Sequence, residues 1–148
     1  MIELVPATPQ HAEEIVKNLR EHDKFEFDIA RVDPVADMKK TLQKSKYSWA
    51  AIVDGEVGCM WGIKEETIAT GAHIWLVTTS LIEKHPRRFL VESRKVVRAA
   101  VQSYYILYGY VDATYTISTK WMEWLGFVPV ALVDIGQMKL IRYEMRAA

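Results

Sequence analysis

A long amphipathic segment between two apolar stretches constrains the fold of this chain more than any other feature. Along residues 86–105, apolar side chains recur at helical spacing with charged residues between them, which predicts a helix lying with one face on a sheet. The stretches on either side, Ala72–Thr78 and Leu107–Asp112, are expected to be strands. Because a helix joins them, these two strands should run parallel. The sequence therefore predicts an α/β protein.

The N-terminal segments add helices to this unit. A capping side chain followed by proline predicts helix starts at Thr8-Pro9 and Asp33-Pro34, and the two helices should extend to about Leu19 and Lys44. Between them, Glu21–Arg31 shows no clean period and is expected to be a loop or a short turn of helix.

The remaining segments complete the order β-α-α-β-β-β-α-β-α-β-β. Asp54-Gly55 between two apolar runs predicts a type I′ hairpin, because both turn residues need a positive φ. The other expected elements are strands at Ile2–Pro6, Phe127–Asp134 and Leu140–Met145, and a short helix at Thr116–Leu125 ended by Gly126. We expect a single domain over residues 1–148, with a mixed sheet of about six or seven strands flanked by about four helices.

The charge balance bears on the class of partner. Nineteen Lys and Arg residues match 19 Asp and Glu residues, so the formal net charge is zero. Proteins that bind nucleic acid usually carry a basic excess, which argues against nucleic acid as the partner. A net charge near zero also removes one guard against self-association, and it favours an oligomer or a place in an assembly.

Cysteine and histidine usage argues against metal and disulfide chemistry. The single cysteine, Cys59, excludes an internal disulfide, and its apolar neighbours predict a buried, unreactive thiol. The four histidines, His11, His22, His73 and His85, lack the spacing of metal ligands, so no metal site is expected. No apolar run approaches the roughly 18 residues that span a bilayer, and no signal-peptide pattern is visible. We expect a protein of an aqueous, reducing compartment.

The short C-terminal helix carries the first resemblance to a known family. It ends in Trp124-Leu125-Gly126-Phe127 after the element order given above. This combination resembles the GNAT family of N-acetyltransferases, in which the last helix commonly ends in Leu-Gly-Phe before the sixth strand. The resemblance implies a GNAT-like domain and, for an active member, acetyl-CoA as the acetyl donor.

A longer pattern resembles a branch of GNAT-like proteins encoded by tailed bacteriophages and related to a short internal virion protein of short-tailed phages. It comprises Trp75-Leu76-Val77-Thr78-Thr79, Glu83-Lys84-His85-Pro86-Arg87, Phe89-Leu90, Ser93-Arg94, Val111-Asp112-Ala113, Ser118, Lys120-Trp121 and the motif at Trp124–Phe127. The resemblance implies a virion-associated component, or one that acts in assembly or ejection. Phage structural proteins or further copies of the chain would be its partners, in the virion or in the cytoplasm of the infected host.

The turn before the long helix departs from the GNAT pattern. In that family a glycine-rich turn lets the backbone approach the pyrophosphate of acetyl-CoA at a helix N-terminus. Here Thr78–Pro86 contains no glycine, and Glu83 adds charge of the wrong sign. The resemblance leaves these candidate cofactor-binding residues: Leu76, Val77, Thr78, Thr79, Lys84, Arg87 and Arg88. The basic ones are alternatively solvated groups at a helix end.

The positions that would move protons also depart from the family. Met122 stands where many members carry a tyrosine general acid, and a thioether has no proton to donate. Tyr115 replaces the usual helix-starting asparagine and is either a displaced acid or a packing residue. Glu65, Glu66 and His73 flank the loop between the third and fourth strands. They are candidate general bases or, alternatively, solvated groups at a hairpin end.

The tryptophans favour packing over base stacking. Trp121 and Trp124 share a helical stripe with Ile117 and Leu125, which predicts a buried face. Three more, Trp49, Trp61 and Trp75, lie on expected strands, where they pack or line the groove that holds pantetheine in a relative.

Two of the three chemical roles of an acetyltransferase thus lack their usual residues. The sequence favours a virion-associated or assembly component with a degenerate acetyl-CoA site, without turnover and without a cofactor. The alternative is an active acetyl-CoA-dependent N-acetyltransferase with an atypical phosphate-binding turn. A third hypothesis is a binding module that acts on host machinery through its charged faces.

Overall fold

A computed structural model describes Ile2–Thr67 and Gly71–Arg146, apart from the side chains of Glu66, Thr67 and Glu83. Within these residues it has seven strands, five α-helices and one 3₁₀ helix. The strands are β1 (Ile2–Pro6), β2 (Tyr47–Val53), β3 (Glu56–Thr67), β4 (Gly71–Thr78), β5 (Ile106–Asp112), β6 (Val128–Ile135) and β7 (Met138–Arg146). The α-helices are α1 (Pro9–Lys17), α2 (Glu21–Ala30), α3 (Pro34–Lys44), α4 (Pro86–Ser103) and α5 (Thr116–Leu125), and the 3₁₀ helix is Ser80–Lys84.

The strands form one mixed sheet in the order β1-β2-β3-β4-β5-β7-β6. The β4 and β5 strands run parallel, with Ala72 opposite Leu107 and His73 opposite Tyr108, as expected for strands joined through a helix. The pairs β1–β2, β2–β3, β5–β7 and β6–β7 are antiparallel. The α/β class and the predicted number of strands are confirmed.

Two helical segments differ from the sequence prediction. The stretch expected to be a loop or a short turn forms α2, which ends at Arg31 in the left-handed conformation (φ 56°). None of the α2 residues is buried, so the helix has no apolar stripe that periodicity could reveal. The 3₁₀ helix was likewise expected to be part of a turn. The described part of the chain therefore has five α-helices rather than about four.

The chain divides into two compact units, and the first contains described residues up to Lys64 together with Trp75–Phe89. In this unit α1 and α3 cover one face of β2 and β3. Their buried residues are Ala12, Ile15, Met38, Ala50, Val57 and Met60. The opposite face buries Ala51, Val53, Cys59 and Ile82. The alternation at Ala50 and Ala51 shows why β2 is apolar throughout: each face packs against a different cluster.

The hairpin of the first unit has the predicted turn. Asp54 and Gly55 both adopt positive φ, 50° and 86°, as a type I′ turn requires. The pairing slips by one residue between Ala51 and Ile52, and this bulge lies beside the buried Cys59.

The second unit contains Glu65–Ile74 and the chain from Leu90 onward. Its sheet is built from the start of β4 with β5, β7 and β6. The helix α5 ends at Gly126, whose φ of 107° confirms the predicted glycine stop. Buried side chains of this unit include Val97, Ala100, Val101, Leu107, Met122, Leu125, Phe127 and Tyr143. The expectation that residues 1–148 form one domain stays a prediction.

Among the described residues, no helix combines the length and the apolar character needed to cross a membrane.

Candidate functional site

Most of the backbone N–H groups described in the turn between β4 and α4 donate hydrogen bonds within the protein. Thr79 follows β4, and both its N–H and its hydroxyl donate to the carbonyl oxygen of Gly58, each at 2.9 Å. The same hydroxyl accepts from the N–H of Leu81 at 3.3 Å and caps the 3₁₀ helix. The N–H groups of Ile82 and His85 then donate to the carbonyls of Thr79 and Ile82. The segment is a closed, internally bonded turn.

This bonding pattern differs from the requirement of a phosphate-binding turn. A glycine-rich turn binds phosphate because successive backbone N–H groups have no partner within the chain and point at the ligand. Here three of those N–H groups, on Thr79, Ile82 and His85, donate to carbonyls. Pro86, the first residue of α4, has no N–H at all. The residues of this turn do not fit the pyrophosphate of acetyl-CoA in the way a glycine-rich turn would.

The start of α4 is the remaining place for an anion in this segment. The first intrahelical bond runs from the N–H of Phe89 to the carbonyl of His85, so the N–H groups of Arg87 and Arg88 precede the helical ladder. The side chains of Lys84, Arg87 and Arg88 are exposed. Backbone donors and three cations therefore lie at this helix end, without the glycine that would allow close approach.

The candidate residues on β4 have mixed surroundings. Leu76 packs against the cluster of Ala51, Val53, Cys59 and Ile82, and Val77 packs against the opposite cluster under α1 and α3. Thr78 is only 4% exposed, and its hydroxyl has no hydrogen-bond partner among the described residues. Leu76, Val77 and Thr78 therefore contribute to packing in the first unit.

The three candidate bases have separate surroundings. Glu65 lies near the end of β3 and accepts a hydrogen bond from the hydroxyl of Tyr104 at 2.6 Å. His73 lies on β4, its ring stacked on Tyr108 with the ring centroids 5.1 Å apart. Glu66 belongs to β3, and its side chain is outside the described part of the structure.

His73 belongs to an aromatic cluster that the sequence analysis missed. Tyr108 is buried between the His73 ring and the guanidinium of Arg142, whose Cζ lies 4.0 Å from the Tyr108 ring centroid. Arg142 donates to the hydroxyl of Tyr110 at 3.0 Å and to Glu144 at 2.9 Å. The alternation Tyr108-Gly109-Tyr110 on β5 could have revealed two tyrosines on one face. The presence of Arg142 in this cluster depends on the register of β7, which places Arg142 opposite Tyr110.

The protonation of Arg142 follows from these contacts. Partial burial acts to lower the pKa of the guanidinium, but the hydrogen bonds to Tyr110 and Glu144 outweigh it and leave the pKa above its ordinary value. Arg142 is therefore positively charged. Its hydrogen bond to Tyr110 joins β7 to β5, and its hydrogen bond to Glu144 lies within β7.

Tyr115 has a local role at the start of α5. Its N–H donates to the carbonyl of Asp112 at 3.0 Å, and its carbonyl accepts from Ser118 and Thr119. Asp112 is buried, and its carboxylate accepts from both the N–H and the hydroxyl of Thr114. These bonds set the strand-to-helix junction, which accounts for the backbone of Tyr115 without assigning its hydroxyl an acid role.

Met122, which stands where the resemblance places a general acid, is buried. A Cβ placed on Gly109 would stand 3.4 Å from the terminal methyl of Met122, so the methionine lies over β5 at that glycine. The carbonyl of Met122 accepts from the N–H of Phe127 at 3.1 Å, which closes the helix at Gly126. The Met122 side chain therefore makes an apolar contact with β5 at Gly109.

The stripe predicted on α5 was wrong in part. Leu125 is buried, but Ile117 and Trp124 are 66% and 42% exposed, and the other buried residue of α5 is Met122. Trp124 is covered instead by Arg94, whose guanidinium lies 3.7 Å from the centre of the Trp124 ring. A cation over an indole stabilises the ring at the surface, so burial is unnecessary.

The strand tryptophans do pack. Trp75 joins the cluster under α1 and α3, and its indole N–H donates to the hydroxyl of Ser45 at 2.8 Å. Trp49 and Trp61 stack across the β2–β3 pair with ring centroids 6.3 Å apart.

Solved structures of bacterial proteins resemble nearly the whole chain. An acetyltransferase of the GNAT family from Bacillus anthracis matches with a TM-score of 0.71 at 10% identity, over 98% of this chain and 94% of that chain. A GNAT-family acetyltransferase from Streptococcus pneumoniae matches with a TM-score of 0.66 at 13% identity, over 100% of both chains. One from Streptococcus agalactiae matches with a TM-score of 0.65 at 11% identity, over 99% and 96%. The chain has the GNAT fold.

These structural matches confirm the fold implied by the Leu-Gly-Phe ending and the element order. At identities this low they show the fold alone and say nothing of the chemistry. No family model matches the sequence, and no curated protein sequence matches it.

Proposed function

We propose that this chain is a phage-encoded GNAT-fold protein that serves as a virion-associated component, or in assembly or ejection, with a degenerate acetyl-CoA site. The observation that carries this proposal is the β4–α4 turn. Its N–H groups at Thr79, Ile82 and His85 donate to backbone carbonyls. A phosphate would have to break those bonds before the turn could bind it, and each buried carbonyl oxygen that loses its donor costs about 1–3 kcal/mol.

The acid position supports the same proposal. Acetyl transfer to an amine releases a thiolate that needs a proton, and an acid must lie within hydrogen-bond reach to supply it. Met122 is buried there against Gly109 and has no dissociable proton. A loss at the phosphate turn and a loss at the acid position would together remove both binding and turnover.

Two measurements test the proposal, and each addresses a different half. Quantitative mass spectrometry of intact, purified virions of the source phage should find the chain in stoichiometric amount, and its absence from them would overturn the virion role. Calorimetric titration of the purified protein with acetyl-CoA should give no binding heat. A binding isotherm there would overturn the degenerate site while leaving the virion result standing by itself.

The second candidate is an active acetyl-CoA-dependent N-acetyltransferase, and the start of α4 favours it. The N–H groups of Arg87 and Arg88 precede the helical ladder, and the side chains of both are exposed beside Lys84. Proteins of this fold from Bacillus anthracis and Streptococcus pneumoniae are acetyltransferases by name. In this reading the pyrophosphate would bind the helix end directly and bypass the closed turn.

A thermal-shift comparison separates the two candidates. If acetyl-CoA binds, a hundredfold excess over its Kd stabilises the fold by about 2.7 kcal/mol and raises the Tm. That rise should disappear in the double variant R87Q/R88Q and persist in the control R98Q, which removes an exposed arginine farther along the same helix. No rise in the unsubstituted protein excludes this candidate. A rise that R98Q abolishes as fully as R87Q/R88Q would mean that general helix charge, rather than the helix start, attracts the ligand.

A further inference from the structure

In the second unit, the side chain of Arg94 on α4 lies over Trp124 on α5. Its guanidinium carbon is 3.7 Å from the centre of the Trp124 ring, and its Nη2 donates to the carbonyl oxygen of Trp124 at 3.1 Å. Guanidinium groups stack on aromatic faces, and a carbonyl near a helix C-terminus attracts a cation. These two contacts hold the guanidinium in place before any ligand binds.

The other donors of this guanidinium have no acceptor. Nε is buried and has no hydrogen-bond partner among the described residues. Nη1 also has no partner in that part of the chain, but it is not buried, so its two N–H groups are open to solvent. One bond to a carbonyl thus uses little of the donor capacity of Arg94. A role in closing α5 alone does not account for the rest.

The acidic residues of the two helices do not neutralise Arg94. Glu92, the one acid of α4, pairs with Lys95 at 3.4 Å. Glu123, the one acid of α5, accepts a hydrogen bond from the hydroxyl of Tyr143 at 3.3 Å. A partly buried cation attracts an anion more strongly than an exposed one does, because water and salt screen it less. Arg94 is therefore a cation that is held in place without an anion.

Arg94 and Trp124 belong to a larger surface of apolar and basic side chains. Its other members on α4 lie three residues before and four residues after Arg94, and those on α5 lie seven and four residues before Trp124. Residues at these spacings share one face of a helix. We call this set the α4–α5 surface, and it comprises Val91, Arg94, Arg98, Ile117, Lys120 and Trp124.

The α4–α5 surface combines exposed apolar area with positive charge. Val91, Ile117 and Trp124 are 47%, 66% and 42% exposed. Arg98 and Lys120 are exposed as well, and neither forms an ion pair among the described residues. With the guanidinium over the indole, the surface carries three cations and no acid. It is complementary to an anionic partner that also carries apolar side chains.

We propose that the α4–α5 surface binds an acidic peptide segment of a partner protein, with one carboxylate on Nη1 of Arg94. That carboxylate accepts the open N–H groups in charge-assisted hydrogen bonds. Other acidic side chains of the peptide pair with Arg98 and Lys120, and its apolar side chains cover Val91 and Ile117. Because the guanidinium is already held in place, little side-chain entropy is lost on binding. The site depends neither on acetyl-CoA nor on a place in a virion.

The apolar members of the surface favour a peptide over a nucleic acid. A nucleic acid strand is bound through its phosphates and through bases stacked on aromatic rings. Here Arg94 covers one face of Trp124, and Val91 and Ile117 offer no ring for stacking. An acidic peptide supplies both the negative charge and the apolar side chains that would cover these residues.

A selection from a library of random displayed peptides, with the full chain as the target, tests the proposal. The enriched sequences should combine several acidic residues with large apolar ones. Fluorescence anisotropy then gives the Kd of a labelled enriched peptide. R94Q removes the charge and the Nη1 donors, and it should raise that Kd at least about tenfold. R98Q should raise it about two- to fivefold, as expected for an exposed ion pair.

The matched control is K95Q, which removes the same charge one position along α4. Adjacent helix residues face different directions, and Lys95 already pairs with Glu92, so the Kd should stay within about twofold of the unsubstituted value. Circular dichroism checks that each variant is folded. Arg98 makes no hydrogen bond or ion pair in the described part of the chain, so R98Q tests the surface even if R94Q fails to fold.

A lysine at position 94 separates the charge from the shape of the donor. R94K keeps the positive charge but lacks the planar group that stacks on Trp124, so it should weaken binding nearly as much as R94Q. An unchanged Kd in R94K would overturn the assignment of the carboxylate to the stacked guanidinium.

Three further outcomes overturn the proposal. The first is that no peptide is enriched, or that the enriched peptides lack acidic residues. The second is a Kd that R94Q and K95Q raise equally, which would indicate general attraction to a basic helix. The third concerns a labelled polyuridylate strand titrated in parallel. RNA binding that R94Q abolishes, with no acidic peptide enriched, would assign the surface to nucleic acid.

Discussion

The carbonyl oxygen of Gly58 accepts two hydrogen bonds from Thr79, one from its N–H and one from its hydroxyl, both at 2.9 Å. Thr79 is fully buried, and the same hydroxyl also accepts from the N–H of Leu81. A single side chain thus joins β3 to the turn that follows β4. This bonding explains why the turn needs no glycine: its backbone is held by Thr79 rather than left open for a ligand.

Removing the Thr79 hydroxyl should weaken the fold. Thr79→Val keeps the shape of the side chain but leaves the N–H of Leu81 without its acceptor. We expect the free energy of unfolding to fall by about 1–3 kcal/mol, the usual cost of a buried donor without a partner. Urea unfolding, compared at equal m-value, measures the change.

The neighbouring threonine supplies the control. Thr78 is buried as well, but its hydroxyl has no partner among the described residues. Thr78→Val removes an unsatisfied polar atom and should be neutral or stabilising. If both valine substitutions destabilise the protein equally, the hydrogen bonds of Thr79 do not hold the turn.

A tyrosine at position 122 should not give the protein acetyl-transfer activity. Met122→Tyr inserts a ring where the methionine methyl already lies against Gly109, and we expect a loss of about 1–3 kcal/mol from overpacking. Met122→Leu, close in volume, should cost less than about 1.5 kcal/mol. Chemical unfolding gives both values, and an acetyl-transfer assay on the folded fraction should stay at background. Acetyl transfer by the tyrosine variant would contradict the proposal that the acetyl-CoA site is degenerate.

Most of the fold could be predicted because local signals and packing agree. The start of α3, the turn after β2 and the end of α5 follow from a cap, a pair of residues with positive φ and a glycine stop, all of which act within a few residues. The helix α2 could not be predicted, because none of its residues is fully buried and Phe27 is only partly buried against the cluster under α1 and α3.

The candidate site was harder to predict for a different reason. The absence of glycine in the turn was visible in the sequence, but the bonds that close it join Thr79 to Gly58, 21 residues away. The cluster around Tyr108 likewise depends on the register of β7, which brings Arg142 opposite Tyr110. Strand register is set by the pairing of the whole sheet, so it cannot be predicted from the residue type at a single position. The exposure of Trp124 depends on Arg94, a residue on another helix.

Two strand glycines should respond differently to the same substitution. A Cβ at Gly62 would stand 2.6 Å from Cζ2 of Trp75 and 2.6 Å from the carbonyl oxygen of Tyr47, closer than side-chain carbons can approach. Gly62→Ala must therefore shift both the indole and the backbone at Tyr47, and we expect a loss of about 1–3 kcal/mol. At Gly109 the nearest atoms, on Ile74 and Met122, stand at 3.4 Å, which is ordinary contact.

Gly109→Ala is thus the matched control, and it should change the free energy of unfolding by less than about 1 kcal/mol. Thermal or urea unfolding of the pair decides the matter. A tolerated Gly62→Ala would mean that Trp75 and the backbone at Tyr47 can both move, and movement of Trp75 would weaken its hydrogen bond to Ser45.

The buried thiol should make stability fall at alkaline pH. Burial raises the pKa of Cys59 from 9.0 to about 12, against a smaller opposing effect of a hydrogen bond to the backbone of Ala51. The folded state therefore keeps the thiol proton while the unfolded state loses it above pH 9. The contribution of the thiol to stability is present in full below pH 9 and is lost as the pH rises toward 12.

Near pH 10.5 the free energy of unfolding should be lower by about 2 kcal/mol than at pH 8. Urea unfolding at both values measures it, and Cys59→Ala should show a correspondingly smaller fall, since tyrosines and lysines titrate in both proteins. Equal falls in the two proteins would mean that the thiol reaches solvent in the native state.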